Sequence, residues 1–241
     1  MEIYNQVNRN TSIIQKLLRK VYPNKYNNKE AIIVIRHSID VDNDDRPTNN
    51  QGIKYTLPNS QEIEPFYENS LTPEGKCASE NYSIILNKIV SDLGLSIINR
   101  VVIKDPKIQE KSSNTFFTAL PFINNNKIQD VRLRTSTEDE NGKEILELEN
   151  DDLITKNGSI LVCWSQETLW SEKNQDGDRE DQPDNTSILG RLNNTYNISC
   201  NIQGPPRKGV TIYIYLEDTV LHIYSMLTNP LRYEVGYKKN F

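Results

Sequence analysis

Histidine is almost absent from this chain of 241 residues, which holds only His37 and His222, and cysteine is nearly as scarce, with Cys77, Cys163 and Cys200. Three widely separated cysteines indicate neither a disulfide framework nor a zinc cluster, so a reduced, cytoplasmic setting is expected. Nowhere do 18 apolar residues follow one another, and residues 1–20 lack a long apolar segment, so neither a membrane span nor a signal peptide is expected. Positive charge is not concentrated: 28 Lys and Arg against 33 Asp and Glu leave a formal charge of −5 spread along the chain. Without a basic stripe, nucleic acid is not an expected partner. Glycine-rich phosphate loops of the Walker or dinucleotide kind are missing, which removes nucleotide-dependent kinases and dehydrogenases. The spaced acids Asp40, Asp42 and Asp44 fail as a calcium loop, because Asp45 stands where glycine is needed and Gln51 where the bidentate glutamate is needed. The apolar fraction, 36%, is low enough that long loops are expected around the core.

What the chain does have is one conspicuous apolar run, Ala31-Ile32-Ile33-Val34-Ile35, that stops at Arg36-His37-Ser38. A continuous Ile/Val run of this length suits a strand buried on both faces of a parallel sheet, and ligands in such folds bind beyond the carboxyl ends of the strands. Upstream, Ile13, Ile14, Leu17, Leu18 and Val21 recur with helical spacing before Pro23, predicting an amphipathic helix over about 11–21. Residues 40–66, with the boundary at about 70, are polar and rich in Asn, Pro and Gly and are expected to form a long excursion over the active end. Thr72 as N-cap, Pro73 at the first helical position and Glu74 near the positive dipole end open a helix that Gly94 closes. Arg100-Val101-Val102-Ile103-Lys104 and Ser159-Ile160-Leu161-Val162-Cys163-Trp164 are further buried strands, with a helix from Ser113 to about Ile123 between them. Strand and helix in alternation imply parallel βαβ units. An acidic loop is expected over about 174–186, and residues 210–215 and 220–224 should pair as a hairpin added to the sheet. The fold class expected is therefore α/β: a three-layer sandwich with a mostly parallel central sheet flanked by helices, in one domain over 1–241.

Three strand ends then face one way: Arg36-His37, Asp105 with the turn through Lys111, Ser112, Ser113 and Asn114, and Trp164-Ser165-Gln166-Glu167. In order and spacing these resemble the histidine phosphatase, or phosphoglycerate mutase-like, superfamily over roughly residues 31–225. The family's Arg-His-Gly strand end corresponds to Arg36-His37-Ser38, and its Leu-Thr-x-x-Gly helix start to Leu71-Thr72-Pro73-Glu74-Gly75. Its Ser-Arg-x-x-x-Thr-Ala helix start corresponds to Ser113-Asn114 followed by Thr118-Ala119. Its second histidine, at the end of a later strand, corresponds to Gln166. The resemblance implies hydrolysis or transfer of the phosphoryl group of a small phosphomonoester, with His37 as the phosphoryl-accepting nucleophile and Arg36 as a bidentate phosphate clamp. Asn114 and Gln166 would contact phosphate oxygens where the family has a second arginine and a second histidine. Glu167 follows Gln166, where acid-phosphatase relatives keep a proton donor for the leaving group. No metal and no cofactor is implied.

Neither Asn114 nor Gln166 carries charge, and loss of one positioned donor to developing negative charge lowers rates by on the order of 10²–10³. A second expectation therefore stands beside the first: a weak or inactive pseudoenzyme that binds an anionic ligand or a protein partner. Lys104 and Lys111 are candidates to replace the missing charge. His222, within an alternating strand, reads as a sheet histidine, Trp164 and Trp170 as packing residues, and Cys163 as an inert core thiol.

Overall fold

Ile32, Ile33, Val34 and Ile35 are all essentially inaccessible to solvent, and each burial stabilises the fold by about 1.5–3 kcal/mol of transfer free energy. They form the centre of a sheet in the computed structural model, which describes residues 28–38, 40, 52–107, 113–138, 144–149, 151–170, 183–196, 211–216 and 219–224. At 138, 144–146, 166, 167, 211 and 219–224 the backbone alone is described. The expected helix over 11–21, Lys111, residues 41–51 and the acidic stretch 174–182 lie outside the described residues.

In chain order the elements are β1 (Ile32–Arg36), β2 (Tyr55–Thr56), β3 (Glu62–Ile63), α1 (Pro73–Leu93), β4 (Ile98–Lys104), α2 (Asn114–Asn125), β5 (Asp130–Arg134), β6 (Ser136–Glu138), β7 (Glu144–Leu146), β8 (Ser159–Trp164), α3 (Gln166–Leu169), α4 (Ile188–Thr195), β9 (Thr211–Leu216) and β10 (Thr219–Tyr224). Six strands make one sheet in the order β10-β9-β1-β8-β4-β5. β1, β8, β4 and β5 run parallel, whereas β9 is antiparallel to β1 and β10 to β9. The chain is thus α/β with a mixed, mostly parallel sheet, and the hairpin expected near the carboxyl end is present. No described helix is long and apolar enough to cross a membrane.

Strand alternation divides the core into two layers. Ile33, Ile35, Val101, Leu161 and Cys163 point to one face, where Tyr82, Leu86 and Ile89 of α1 and Phe116, Phe122 and Ile123 of α2 cover them. Ile32, Val34, Val102, Val162 and Trp164 point to the other, under Ile188, Leu189 and Leu192 of α4. The segment after β1 therefore leads to a helix on one face and the segment after β8 to helices on the other. Since β1 and β8 are neighbours, their carboxyl ends mark a topological switch point, the place where open α/β sheets leave a crevice for ligands.

The excursion expected over 40–66 is partly ordered structure rather than loop. β2 and β3 pair as a small hairpin, Leu57 and Ile63 join the core, and Tyr55 packs edge-on against Phe116 and Phe117 with ring centroids 5.7 and 5.5 Å apart. The aromatic pair of α2 supplies the apolar surface that holds this hairpin down.

Candidate functional site

β1 delivers its last residues to the switch point. Arg36 pairs in register with Trp164 of β8, and the His37 N–H extends the ladder by donating to the Trp164 carbonyl at 3.1 Å. Ser38, where the resembled family has glycine, is fully buried. Its N–H donates to Thr118 Oγ1 at 2.9 Å and its hydroxyl to the Gly75 carbonyl at 2.9 Å, so the end of β1 is tied to the N-terminal halves of both α1 and α2. The Leu-Thr-x-x-Gly segment serves the same purpose from the helix side, because Thr72 accepts from the Gly75 N–H at 3.0 Å and sets where α1 begins.

His37 is 8% exposed, and its Nδ1 lies 2.9 Å from the Ser38 carbonyl oxygen. A carbonyl only accepts, so in the neutral ring Nδ1 carries the proton and Nε2 the lone pair. The backbone of one adjacent residue thereby selects the tautomer suited to nucleophilic attack through Nε2.

Asn114 is the first residue of α2 and only 1% exposed. Its Nδ2 donates to Asp40 Oδ2 at 2.8 Å and its Oδ1 accepts from Ser70, an orientation that the carboxylate, an acceptor alone, dictates. Asp40 is itself held by an antiparallel bridge to Leu71. Asn114 thus stands with Asp40 and Ser70 in a polar knot. Gln166 and Glu167 open α3 immediately after β8 and Ser165; the positions are placed at the same sheet edge as Arg36 and His37, while their amide and carboxyl groups lie outside the description. Lys104 ends β4 on the other side of β8 and is 4% exposed. Asp105 closes its own turn by accepting from the Lys107 N–H at 3.0 Å. His222 sits in β10 opposite Tyr213 of β9, two strands from β1, and does not join the site.

Beneath the site, Cys163 Sγ lies 3.5 Å from the Thr115 carbonyl. Burial pushes the thiol far above its ordinary range, and burial, then the neighbouring Cys163, raises the Tyr82 phenol. Both belong to the core.

Sequence reasoning missed a charged network on β4 and β5. Arg100 donates to Asp130 at 2.6 Å, Arg132 bonds Asp130, Asp151 and Asp152, and Arg134 grips Asp152 at 2.6 Å and Glu149 at 2.9 Å. Glu149, Asp151 and Asp152 lie close enough to hold a cation, but these guanidinium groups already neutralise them. Alternation of Asp130, Arg132 and Arg134 with Val131 and Leu133 was the available signal for β5. No protein-family model and no curated protein matches this chain.

Proposed function

We propose that this protein is a histidine phosphatase-like hydrolase of the phosphoglycerate mutase-like type, acting on a small phosphomonoester through a phosphohistidine at His37. The observation that carries the proposal is the 2.9 Å contact between His37 Nδ1 and the Ser38 carbonyl, which leaves the lone pair on Nε2 at a sheet switch point beside Arg36. In the first step Nε2 attacks phosphorus in line, forming the N–P bond as the ester P–O bond breaks. Arg36 holds non-bridging oxygens with its planar fork, Asn114 and Gln166 contribute neutral contacts, and Glu167 gives its proton to the departing alkoxide. In the second step the Glu167 carboxylate takes a proton from water, whose oxygen attacks phosphorus and releases His37 and inorganic phosphate.

A second reading is favoured by Asn114. Its amide is held by Ser70 and Asp40, so a neutral amide rather than a cation stands there to stabilise the charge that develops during phosphoryl transfer. On this reading the pocket binds an anion or a protein partner with little or no turnover.

An aryl phosphate and a panel of phosphorylated metabolites, assayed for released phosphate beside His37→Ala and Arg36→Ala, test the two. Turnover that falls to background in His37→Ala, with an acid-labile phosphoryl group trapped on the wild-type protein, is the expected result. Equal release by His37→Ala would remove the mechanism. Absent turnover with anion binding that depends on Arg36 would select the second reading.

A further inference from the structure

The segment that leaves β1 is fastened to α2 at both of its ends. Ser38 donates its N–H to Thr118 Oγ1 at 2.9 Å, and Asp40, two residues later, accepts from Asn114 Nδ2 at 2.8 Å. Asn114 and Thr118 lie one helical turn apart on the same side of α2, so a single face of that helix holds the segment. A further fastening comes from α1, whose Gly75 carbonyl accepts the Ser38 hydroxyl at 2.9 Å. Ser38, Asn114 and Thr118 are each at most 1% exposed, so bulk water does not compete for these bonds.

Ser38 is thus held at its nitrogen and at its side-chain oxygen. Two fixed substituents on one tetrahedral Cα leave the carbonyl group little freedom, and that carbonyl oxygen lies 2.9 Å from His37 Nδ1. The His37 main chain is held separately, by its N–H bond to the Trp164 carbonyl. Imidazole and acceptor are therefore positioned by different elements, the ring by β8 and the oxygen by α1 and α2. In free histidine the neutral ring favours the proton on Nε2, so the reverse arrangement depends on the acceptor that Nδ1 meets.

We infer that Thr118 is a positioning residue for His37, acting through the Ser38 backbone to keep the ring proton on Nδ1 and the lone pair on Nε2. Thr118 stands 80 residues from Ser38 in the chain and acts without touching the reacting atoms. The use made of that tautomer rests on the phosphohistidine reading above, whereas the tautomer itself requires no substrate and is measured without one.

Full-length protein labelled with ¹⁵N in histidine carries only two imidazoles, His37 and His222, which His37→Gln distinguishes. Two-bond ¹H–¹⁵N correlation at about pH 9, above the usual imidazole range near 6.5, reads the tautomer of each. Wild type should show the His37 proton on Nδ1. Thr118→Val, close in volume but without the acceptor, should raise the Nε2–H share of His37 by about fivefold, the weight of one hydrogen bond, and Thr118→Ser should restore the wild-type spectrum. His222, in β10, should keep its signals throughout. A substitution that merely destabilises the fold would lower the unfolding midpoint and leave the tautomer of the folded molecules as it was. If Thr118→Val does not fold, Ser38→Ala, which releases the Gly75 anchor, carries the same measurement. A folded variant whose His37 keeps the wild-type tautomer, or a wild type with the proton on Nε2, would overturn the inference. Phosphohistidine trapping scores the hydrolysis reading separately: a phosphoryl group trapped on His37 while the tautomer ignores Thr118 removes the positioning role alone, and a tautomer that follows Thr118 in a protein that traps no phosphoryl group removes catalysis alone.

Discussion

A neutral imidazole has one lone pair to offer, and for His37 the Ser38 carbonyl decides that Nε2 offers it. That choice depends on the position of a single backbone oxygen, which Ser38 secures by bonding to Thr118 and to Gly75. Ser38, which stands where the resembled family has glycine, is therefore a fastening point between β1 and two helices. Cys163, in the adjacent strand, illustrates the opposite case of a reactive side chain made inert. Its thiol is fully buried and burial disfavours the thiolate, the form that attacks electrophiles. Peptide mapping after brief treatment of the native protein with a thiol reagent should find Cys163 unmodified and Cys77, which is partly accessible, modified. Unfolding in denaturant should make Cys163 reactive. Native labelling of Cys163 at the rate of Cys77 would contradict the packing described here.

At the scale of elements, α1 shows how local signals specify both ends of a helix. Thr72 caps the start, and Gly94, at φ 68° and ψ 35°, ends it with its N–H bonded to the Ser91 carbonyl and the Leu95 N–H bonded to the Val90 carbonyl, a Schellman closure. Thr72→Ala should lower stability by about 1 kcal/mol, and Gly94→Ala by a similar amount of about 1 kcal/mol, because alanine pays a steric penalty in the left-handed region. Urea denaturation of the two variants checks both, and an unchanged midpoint in either would show that its cap contributes nothing. These ends were legible because they depend on neighbours within four residues. So were β1, β4 and β8, whose apolar runs match strands buried on both faces, and the strand ends that carry Arg36 and His37. α4 and β5 were not. α4 is eight residues long, and three of the five residues of β5 are charged because its polar face meets Asp151 and Asp152 rather than a helix. The partners of Asn114 were equally hidden, since Ser70 and Asp40 lie 44 and 74 residues away in sequence, a distance over which no periodicity reports.

Over the whole molecule, the faces of the sheet and its β5 edge are held by different physics. Helices α1, α2 and α4 bury apolar surface, whereas at the β4 and β5 edge the segment carrying Glu149, Asp151 and Asp152 is fastened by Arg100, Arg132 and Arg134. Asp152 is the keystone, with no exposed surface and hydrogen bonds from both Arg132 and Arg134. Burial alone would raise its carboxyl, but the bonds from Arg134 and Arg132 outweigh that and hold it below the usual carboxylate range. Asp130 is lowered in the same way, burial being outweighed by Arg100 and Arg132. A carboxylate with a folded-state pKa below its unfolded value adds stability that is fully present above the unfolded value, near 3.9 for aspartate. That stability is lost as pH falls through the lowered folded value, because the unfolded state binds protons first. Stability should therefore decline as pH drops below about 4. Asp152→Asn should cost about 2–3 kcal/mol at pH 7, less than a fully buried pair because Arg132 and Arg134 keep some exposure. The variant should also lose stability less steeply on acidification, since one of the shifted carboxylates is gone. Urea denaturation at intervals from pH 7 to pH 3 reads both effects. A variant as stable as wild type at pH 7, with an unchanged acid slope, would mean that the arginines find equivalent partners and that this edge is held by backbone pairing alone.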